Sequence, residues 1–202
     1  MGETNALKCF GWNGEGNLGL EDVDARGDGV NEMGRNLPSV DLGTGRYPIS
    51  VSEKGYAHSC AILDNNNVKC WGRNTSGQLG LNHNTSLGSG LGEMGENLST
   101  VDLGTGKTAS QISAGDDFSC AILNDASVKC WGKNNFGQLG IGSEEWIGND
   151  GAEMGDNLLP VDLGSGRTAK QITAGEYHAC ALLDDNTVKC WGRGASGQLG
   201  YG

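Results

Sequence analysis

The chain has 202 residues, 36 of them glycine and only 3 proline, with a formal net charge of -11 and a pI near 4.6. That acidity argues against nucleic acid or an anionic membrane surface as partner, because both are reached through Lys and Arg; the low proline excludes a collagen-like or proline-rich chain. No run approaches the ~18 apolar residues of a transmembrane helix, so no membrane insertion is expected, and Met1–Leu7 lacks the basic and apolar regions of a signal peptide.

In chain order, Leu7-Lys-Cys-Phe-Gly-Trp-Asn-Gly-Glu-Gly-Asn-Leu-Gly19 matches Val68-Lys-Cys-Trp-Gly-Arg-Asn-Thr-Ser-Gly-Gln-Leu-Gly80, so residues 1–19 read as the last strand and tail of an incomplete unit. Three full units follow, at 20–80, 81–140 and 141–202. Cys60 returns as Cys120 and Cys180, and Cys70 as Cys130 and Cys190, a fixed period of 60 that marks an array of supersecondary units. Each unit opens with a Gly- and Asn-rich loop containing Glu32-Met33, Glu93-Met94 or Glu153-Met154 within the pattern Glu-Met-Gly-x-Asn-Leu. A first short strand is expected at Val40-Asp-Leu, Val101-Asp-Leu and Val161-Asp-Leu. A second is expected at Ile49-Ser-Val51, Gln111-Ile-Ser and Gln171-Ile-Thr. The first copy carries one extra residue in Ser52-Glu-Lys-Gly55.

A hairpin closes each unit. In Leu63-Asp-Asn-Asn-Asn67 an Asp opens the turn and an Asn suits a positive φ. If Leu63 faces Asn67, paired positions sum to 130, and Cys60 lies opposite Cys70, Cys120 opposite Cys130 and Cys180 opposite Cys190. Facing Cβ atoms ~4.5 to 5.5 Å apart are close to disulfide range. Disulfides at these three pairs are the expectation, with Cys9 unpaired; buried free thiols are the alternative. A metal site would need added histidines, and His58 and His178 are replaced by Phe118 in the middle copy. Cross-strand disulfides favour an extracellular or cell-surface protein whose leader lies outside this chain, and free thiols a cytoplasmic or nuclear one. Four short strands per unit predict an all-β fold: a β-propeller-type array of four-stranded antiparallel blades, a partial ring of about three blades plus one orphan strand.

Val-Lys-Cys-Trp-Gly-x-Asn-x-x-Gly-Gln-Leu-Gly after a His-x-Cys-Ala-x-Leu strand resembles the repeat of the regulator of chromosome condensation family. Trp71-Gly72, Asn74 and Gly77-Gln-Leu-Gly80 recur together at 131–140, and the third copy has Gly194 in place of the Asn. The resemblance implies a segment of a seven-bladed propeller and a binding scaffold rather than a catalyst. Family functions range from nucleotide exchange on a small GTPase to enzyme inhibition and light sensing, so the fold settles no function. The Gly-Trp-Arg-His-Thr pattern of the light-sensing relative is absent.

Trp71, Trp131 and Trp191 share one repeat position and read as core; Trp12 and Trp146 fall outside it and suit exposed contacts. Asp22–Glu32 has the look of a calcium loop, but Arg26 and Met33 stand where oxygen ligands are needed. The single Arg26-Gly-Asp28 is short enough to be chance. The Glu-Met-Gly loops are the candidate partner-binding elements, through Glu32, Met33, Glu93, Met94, Glu153, Met154 and Trp146, unless Met and Leu tuck them onto the blades. Asn74, Asn84 and Asn97 begin glycosylation sequons. No nucleophile elbow, phosphate loop or catalytic triad pattern appears, and no cofactor is expected. The function expected is noncatalytic scaffolding for an unknown protein or glycan partner, the alternatives being an intracellular regulator of a small GTPase or a propeller lectin or enzyme. Open blade edges favour self-association.

Overall fold

The computed structural model describes residues 5–52 and 55–201. Met1–Thr4, and Glu53 and Lys54 of the one-residue insertion, lie outside the described residues. Apart from three single 3-10 turns the described chain is β and loop. Nine strands form three separate antiparallel sheets: β1 (Pro48–Val51), β2 (His58–Leu63) and β3 (Val68–Gly72); β4 (Ala109–Ala114), β5 (Phe118–Leu123) and β6 (Val128–Gly132); β7 (Ala169–Ala174), β8 (His178–Leu183) and β9 (Val188–Gly192). The hairpin register is the one the turn chemistry predicts, with His58 opposite Gly72 and Cys60 opposite Cys70. Asn66, Ala126 and Asn186 hold the positive-φ turn position. Ala126 pays a steric penalty there that glycine avoids. Ala126→Gly is therefore expected to raise stability by up to about 1 kcal/mol, read as a higher urea midpoint.

The register brings sulfur to sulfur. Sγ–Sγ distances are 2.10 Å for Cys60–Cys70 and 2.08 Å for both Cys120–Cys130 and Cys180–Cys190, and Cys9 is a free, half-buried thiol. Burial raises the Cys9 pKa to about 11.

Alternation along the strands gives each sheet two apolar faces, and the core lies between sheets. Cys60, Ile62, Val68 and Cys70 on one face of the first sheet meet Ala121, Leu123 and Trp131 of the second. Cys120, Ile122 and Val128 of the second meet Ala181 and Leu183 of the third. Polar clasps repeat at each junction. The Trp131 indole donates to the Gln78 carbonyl (3.0 Å) and the Trp191 indole to that of Gln138 (3.0 Å). Lys69 Nζ donates to the carbonyls of Leu42 (3.0 Å) and Gly95 (2.7 Å), and Lys129 repeats this with Leu103 and Gly155. Buried amines of this kind are held by carbonyls because an unpartnered ammonium is costly to desolvate.

Two expectations about strands are corrected. The Val-Asp-Leu pieces are not strands, so the sheets have three strands rather than four. Each piece makes one backbone bond to the neighbouring hairpin edge, Val101 N to Val68 O (2.8 Å) and Val161 N to Val128 O (2.8 Å). The Asp side chain then takes the amide two residues on: Asp41, Asp102 and Asp162 accept from Gly43, Gly104 and Gly164 at 2.8–2.9 Å. That local turn competes with a ladder. The orphan strand is likewise not assigned. Residues 7–11 hold the place of β3 and make its outward bonds, Val40 N to Leu7 O (2.9 Å) and the Gly11–Arg26 bridge, without an inward partner strand among the described residues.

At the far end the Tyr201 hydroxyl donates to the Cys190 carbonyl (2.8 Å) and accepts from its amide (3.1 Å), occupying the outer edge of β9.

Candidate functional site

Polar and aromatic side chains that depart from the repeat converge on one face. The turns between the first and second strand of each sheet, residues 55–57, 115–117 and 175–177, lie beside the residue that follows each Trp-Gly: Arg73 N, Lys133 N and Arg193 N donate to the carbonyls of Ala57, Asp117 and Tyr177, each at 2.8–2.9 Å. These turns enclose an open cleft of about 310 Å³ lined by Gly55, Tyr56, Asp116, Gly175 and Glu176. Tyr56 is 69% exposed at its rim. Burial raises the Asp116 pKa, a hydrogen bond from Tyr177 opposes the shift, and the charges of Asp117 and Glu176 add to it. The Asp116 charge raises the Tyr177 pKa in turn.

The second and third units use the same positions differently. Asp117 is buried and ties two sheets together: Lys133 Nζ lies 3.1 Å and Arg73 Nη1 3.8 Å from its carboxylate, and Gln78 Nε2 donates to it at 3.2 Å. Tyr177 replaces it in the third unit. Its ring meets Phe136 edge-on at 5.6 Å between centroids, and the Arg193 guanidinium lies 5.4 and 5.6 Å from the two ring centres. Gln138, the counterpart of Gln78, is buried and its Nε2 has no partner. A carboxylate network has become an aromatic and cationic surface, with one buried donor left unsatisfied.

The sequence-predicted partner loops lie elsewhere, and most of their side chains are committed to the fold. Met94 and Met154 are buried, packed against the tryptophan junctions beside Gly19 and Gly80. Glu93 accepts from the amides of Gly88, Ser89 and Gly90, and Glu153 from Gly148, Asn149 and Asp150, all at 2.7–3.1 Å. A carboxylate satisfying three successive amides is a loop-building group. Glu32 does the same for Gly27 and Gly29, which lowers its pKa, while Met33 is 44% exposed. Trp146 is half-buried, its indole donating to Asn135 Oδ1 at 2.6 Å. Asn74 is corrected as a glycosylation site. It is fully buried, Nδ2 donates to the carbonyls of His83 and Thr85, and Oδ1 accepts from Leu79 N. Asn97 is exposed but its Nδ2 donates to the Gly92 carbonyl; Asn84 is exposed. Asp22 pairs with Arg26 at 2.5 Å. No group of three metal-ligating side chains and no helix long and apolar enough to cross a membrane is present among the described residues.

The stacked three-stranded sheets, with indole and lysine clasps at each junction, define a repeat array of the β-propeller type. The family described as Regulator of chromosome condensation (RCC1) repeat matches residues 50–78, 109–138 and 169–198, and a second profile with that description matches 125–182. The chain belongs to this repeat family. It is 30% identical to the Ultraviolet-B receptor UVR8 of Arabidopsis thaliana over 99% of this chain and 40% of that protein. It is 34% identical to the Probable E3 ubiquitin-protein ligase HERC4 of Homo sapiens over 73% of this chain and 12% of the ligase. Among solved structures, human WBSCR16 superposes with a TM-score of 0.70 at 17% identity, over 99% of this chain and 46% of that one. Yeast RCC1 (Prp20) bound to Kap60 gives 0.69 at 20%, over 98% and 42%. The chain thus spans less than half the length of these relatives, and the structural likenesses speak to the fold alone.

Proposed function

We propose that the chain is a noncatalytic segment of a propeller ring that binds a protein partner on the face built from Tyr56, Asp116, Phe136, Glu176, Tyr177 and Arg193, in an extracellular or cell-surface setting. The observation that carries this reading is the Asp117-to-Tyr177 exchange between units. The third unit gives up a buried carboxylate network, leaves Gln138 unpaired and gains an accessible aromatic pair with a guanidinium stacked on it. Tyrosine and arginine beside a desolvated carboxylate are the side chains that dominate protein-binding hot spots. The relative solved with Kap60 is a protein-bound member of the family. Three cysteine pairs support an oxidising compartment; the alternative of an intracellular GTPase regulator calls for six free thiols at the same positions.

Tyr177→Asp tests the reading with an unusual pair of signs. The introduced carboxylate would offer Gln138 Nε2 and Arg193 the acceptor that Asp117 offers Gln78 and Lys133. Stability should hold or rise by about 1 kcal/mol, since a buried unsatisfied donor is removed, measured as the urea midpoint. Proteins retained by the immobilised wild-type chain should be lost from the variant, while Asn84→Asp, remote from this face, keeps them. Equal retention by wild type and Tyr177→Asp would sink the assignment.

A further inference from the structure

Asp117 shows what one carboxylate does at the junction of the first two units. It accepts from Gln78 Nε2 at 3.2 Å and Lys133 Nζ at 3.1 Å, with Arg73 Nη1 at 3.8 Å. The junction of the second and third units rebuilds the donors without the acceptor. Gln138 is anchored as Gln78 is. Its Oε1 accepts from Phe136 N at 2.9 Å, as that of Gln78 accepts from Ser76 N at 2.9 Å, and its carbonyl takes the Trp191 indole as that of Gln78 takes the Trp131 indole. The same anchors aim Nε2 at position 177, where it meets no acceptor although Gln138 is only 1% exposed. Arg193 stands in the column of Lys133, its amide donating to the Tyr177 carbonyl (2.8 Å) as that of Lys133 donates to the Asp117 carbonyl (2.9 Å).

Charge separates this pair from the rest of the face. Arg73, Lys133 and Arg193 occupy one column, and Asp117 serves the first two. Arg193 forms no ion pair among the described residues; its guanidinium lies against the Phe136 and Tyr177 rings, 5.4 and 5.6 Å from their centres. Asp116, in the neighbouring cleft, accepts instead from the Tyr177 hydroxyl, and Glu176 is exposed. A buried amide donor without an acceptor is costly. The guanidinium beside it is a rigid fork whose geometry matches a carboxylate, and the stacked rings hold that fork in place.

We propose that Arg193 and Gln138 form a receptor for one carboxylate, supplied by an aspartate or glutamate side chain of the protein partner, which completes in the third unit the network that Asp117 completes in the second. The inference rests on the assignment of this face to partner binding. The Tyr177 ring occupies the place of the missing acceptor and turns aside to admit it. A polypeptide source fits better than a small free acid, because Phe136 at 43% and Tyr56 at 69% exposure flank the site and would stay uncovered by a lone carboxylate.

The probe is the tripeptide Gly-Asp-Gly, acetylated and amidated so that it carries a single carboxylate. It is titrated into the whole chain, disulfides intact, while NMR follows the Gln138 side-chain amide and the Arg193 Nε–H. Both signals should move along one saturation curve. Gly-Asn-Gly, capped in the same way, should bind more weakly by about tenfold, since the charged hydrogen bonds are lost. Tyr177→Ala removes the ring that must turn aside and should tighten Gly-Asp-Gly binding by about threefold; Tyr177→Asp supplies the acceptor from within and should abolish it. Equal affinity for the two capped peptides, or movement of Arg193 with Gln138 unmoved, would overturn the proposal. So would a Gly-Asn-Gly peptide with a free terminal carboxylate that binds as tightly as capped Gly-Asp-Gly, because the acceptor would then be a chain end. If Tyr177→Asp loses the retained proteins although no peptide moves Gln138, the binding face stands and this inference alone falls.

Discussion

Reducing the three disulfides under otherwise native conditions is expected to unfold the array. Each bridge closes a loop of about 11 residues, and the chain-entropy relation assigns such a loop about 2 to 3 kcal/mol. Three of them together are comparable with the whole stability of a domain this size, ~5 to 15 kcal/mol. Cys120–Cys130 lies wholly inside, both residues at 0% exposure, whereas Cys180 and Cys190 are half-buried on the outer face of the third sheet, beside Val188 at 59%. Reductant should therefore open Cys180–Cys190 first, with little loss of signal. Cooperative loss of the indole signal at the Trp71 and Trp131 junctions should accompany opening of the other two. Stepwise thiol trapping with mass spectrometry, run beside tryptophan fluorescence, checks both order and consequence. A fully reduced chain that keeps its native fluorescence and melts within a few degrees of the oxidised one would refute the assignment. Without reductant, a denatured chain should titrate as one free thiol, from Cys9.

The second large effect is that of pH. His58 is buried at the junction of the first two sheets, its Nε2 paired with Ser119 and its Nδ1 without a partner. Burial depresses its pKa from 6.5 to about 4, the charge of Asp117 pulling the other way. The unfolded chain accepts the proton first. Stability is full above about pH 6.5 and falls as pH drops toward 4, by about 3 kcal/mol at most on the ~1.4 kcal/mol per pKa unit scale. His58→Phe should remove this slope, because Phe118 already occupies the equivalent place in the next unit at 0% exposure. It also deletes the unpaired Nδ1. Urea midpoints between pH 4 and 7 for wild type and variant isolate the histidine from the carboxylates, which are common to both. Parallel curves would show that His58 does not carry the dependence.

Much of this architecture is legible in one sequence because the chain repeats itself. The 60-residue step and the Leu63-to-Asn67 turn set the register, and the register brings six cysteines face to face. Where reading stopped, local hydrogen bonding had intervened. Val-Asp-Leu has the apolar alternation of a strand, but Asp41, Asp102 and Asp162 fold back on the glycine amides and end any ladder after one bond. In the sequence Glu93 and Glu153 look like surface charge, yet each closes a turn over three successive amides, Gly88-Ser-Gly90 and Gly148-Asn-Asp150. Asn74 satisfies a sequon and is sealed inside. The proposed binding face was hidden for the opposite reason. Tyr56, Asp116 and Glu176 occupy one column, Ala57, Asp117 and Tyr177 the next, and these columns do not repeat. Attention to what recurs passes over them, although departure from the repeat is itself visible without a structure.

The Tyr201 hydroxyl, seated on both backbone groups of Cys190, has a consequence for solubility. An exposed strand edge is a template on which another chain can add in cross-β fashion. A phenol that supplies one donor and one acceptor to the same residue does what a neighbouring strand would do there, and it cannot propagate, since it offers no further edge. Leu81 and Ile141 stand at the matching positions of the earlier units, so the tyrosine is peculiar to the third. The phenol thus satisfies both backbone groups of Cys190 from within its own repeat, which the Leu81 and Ile141 side chains cannot do for Cys70 and Cys130.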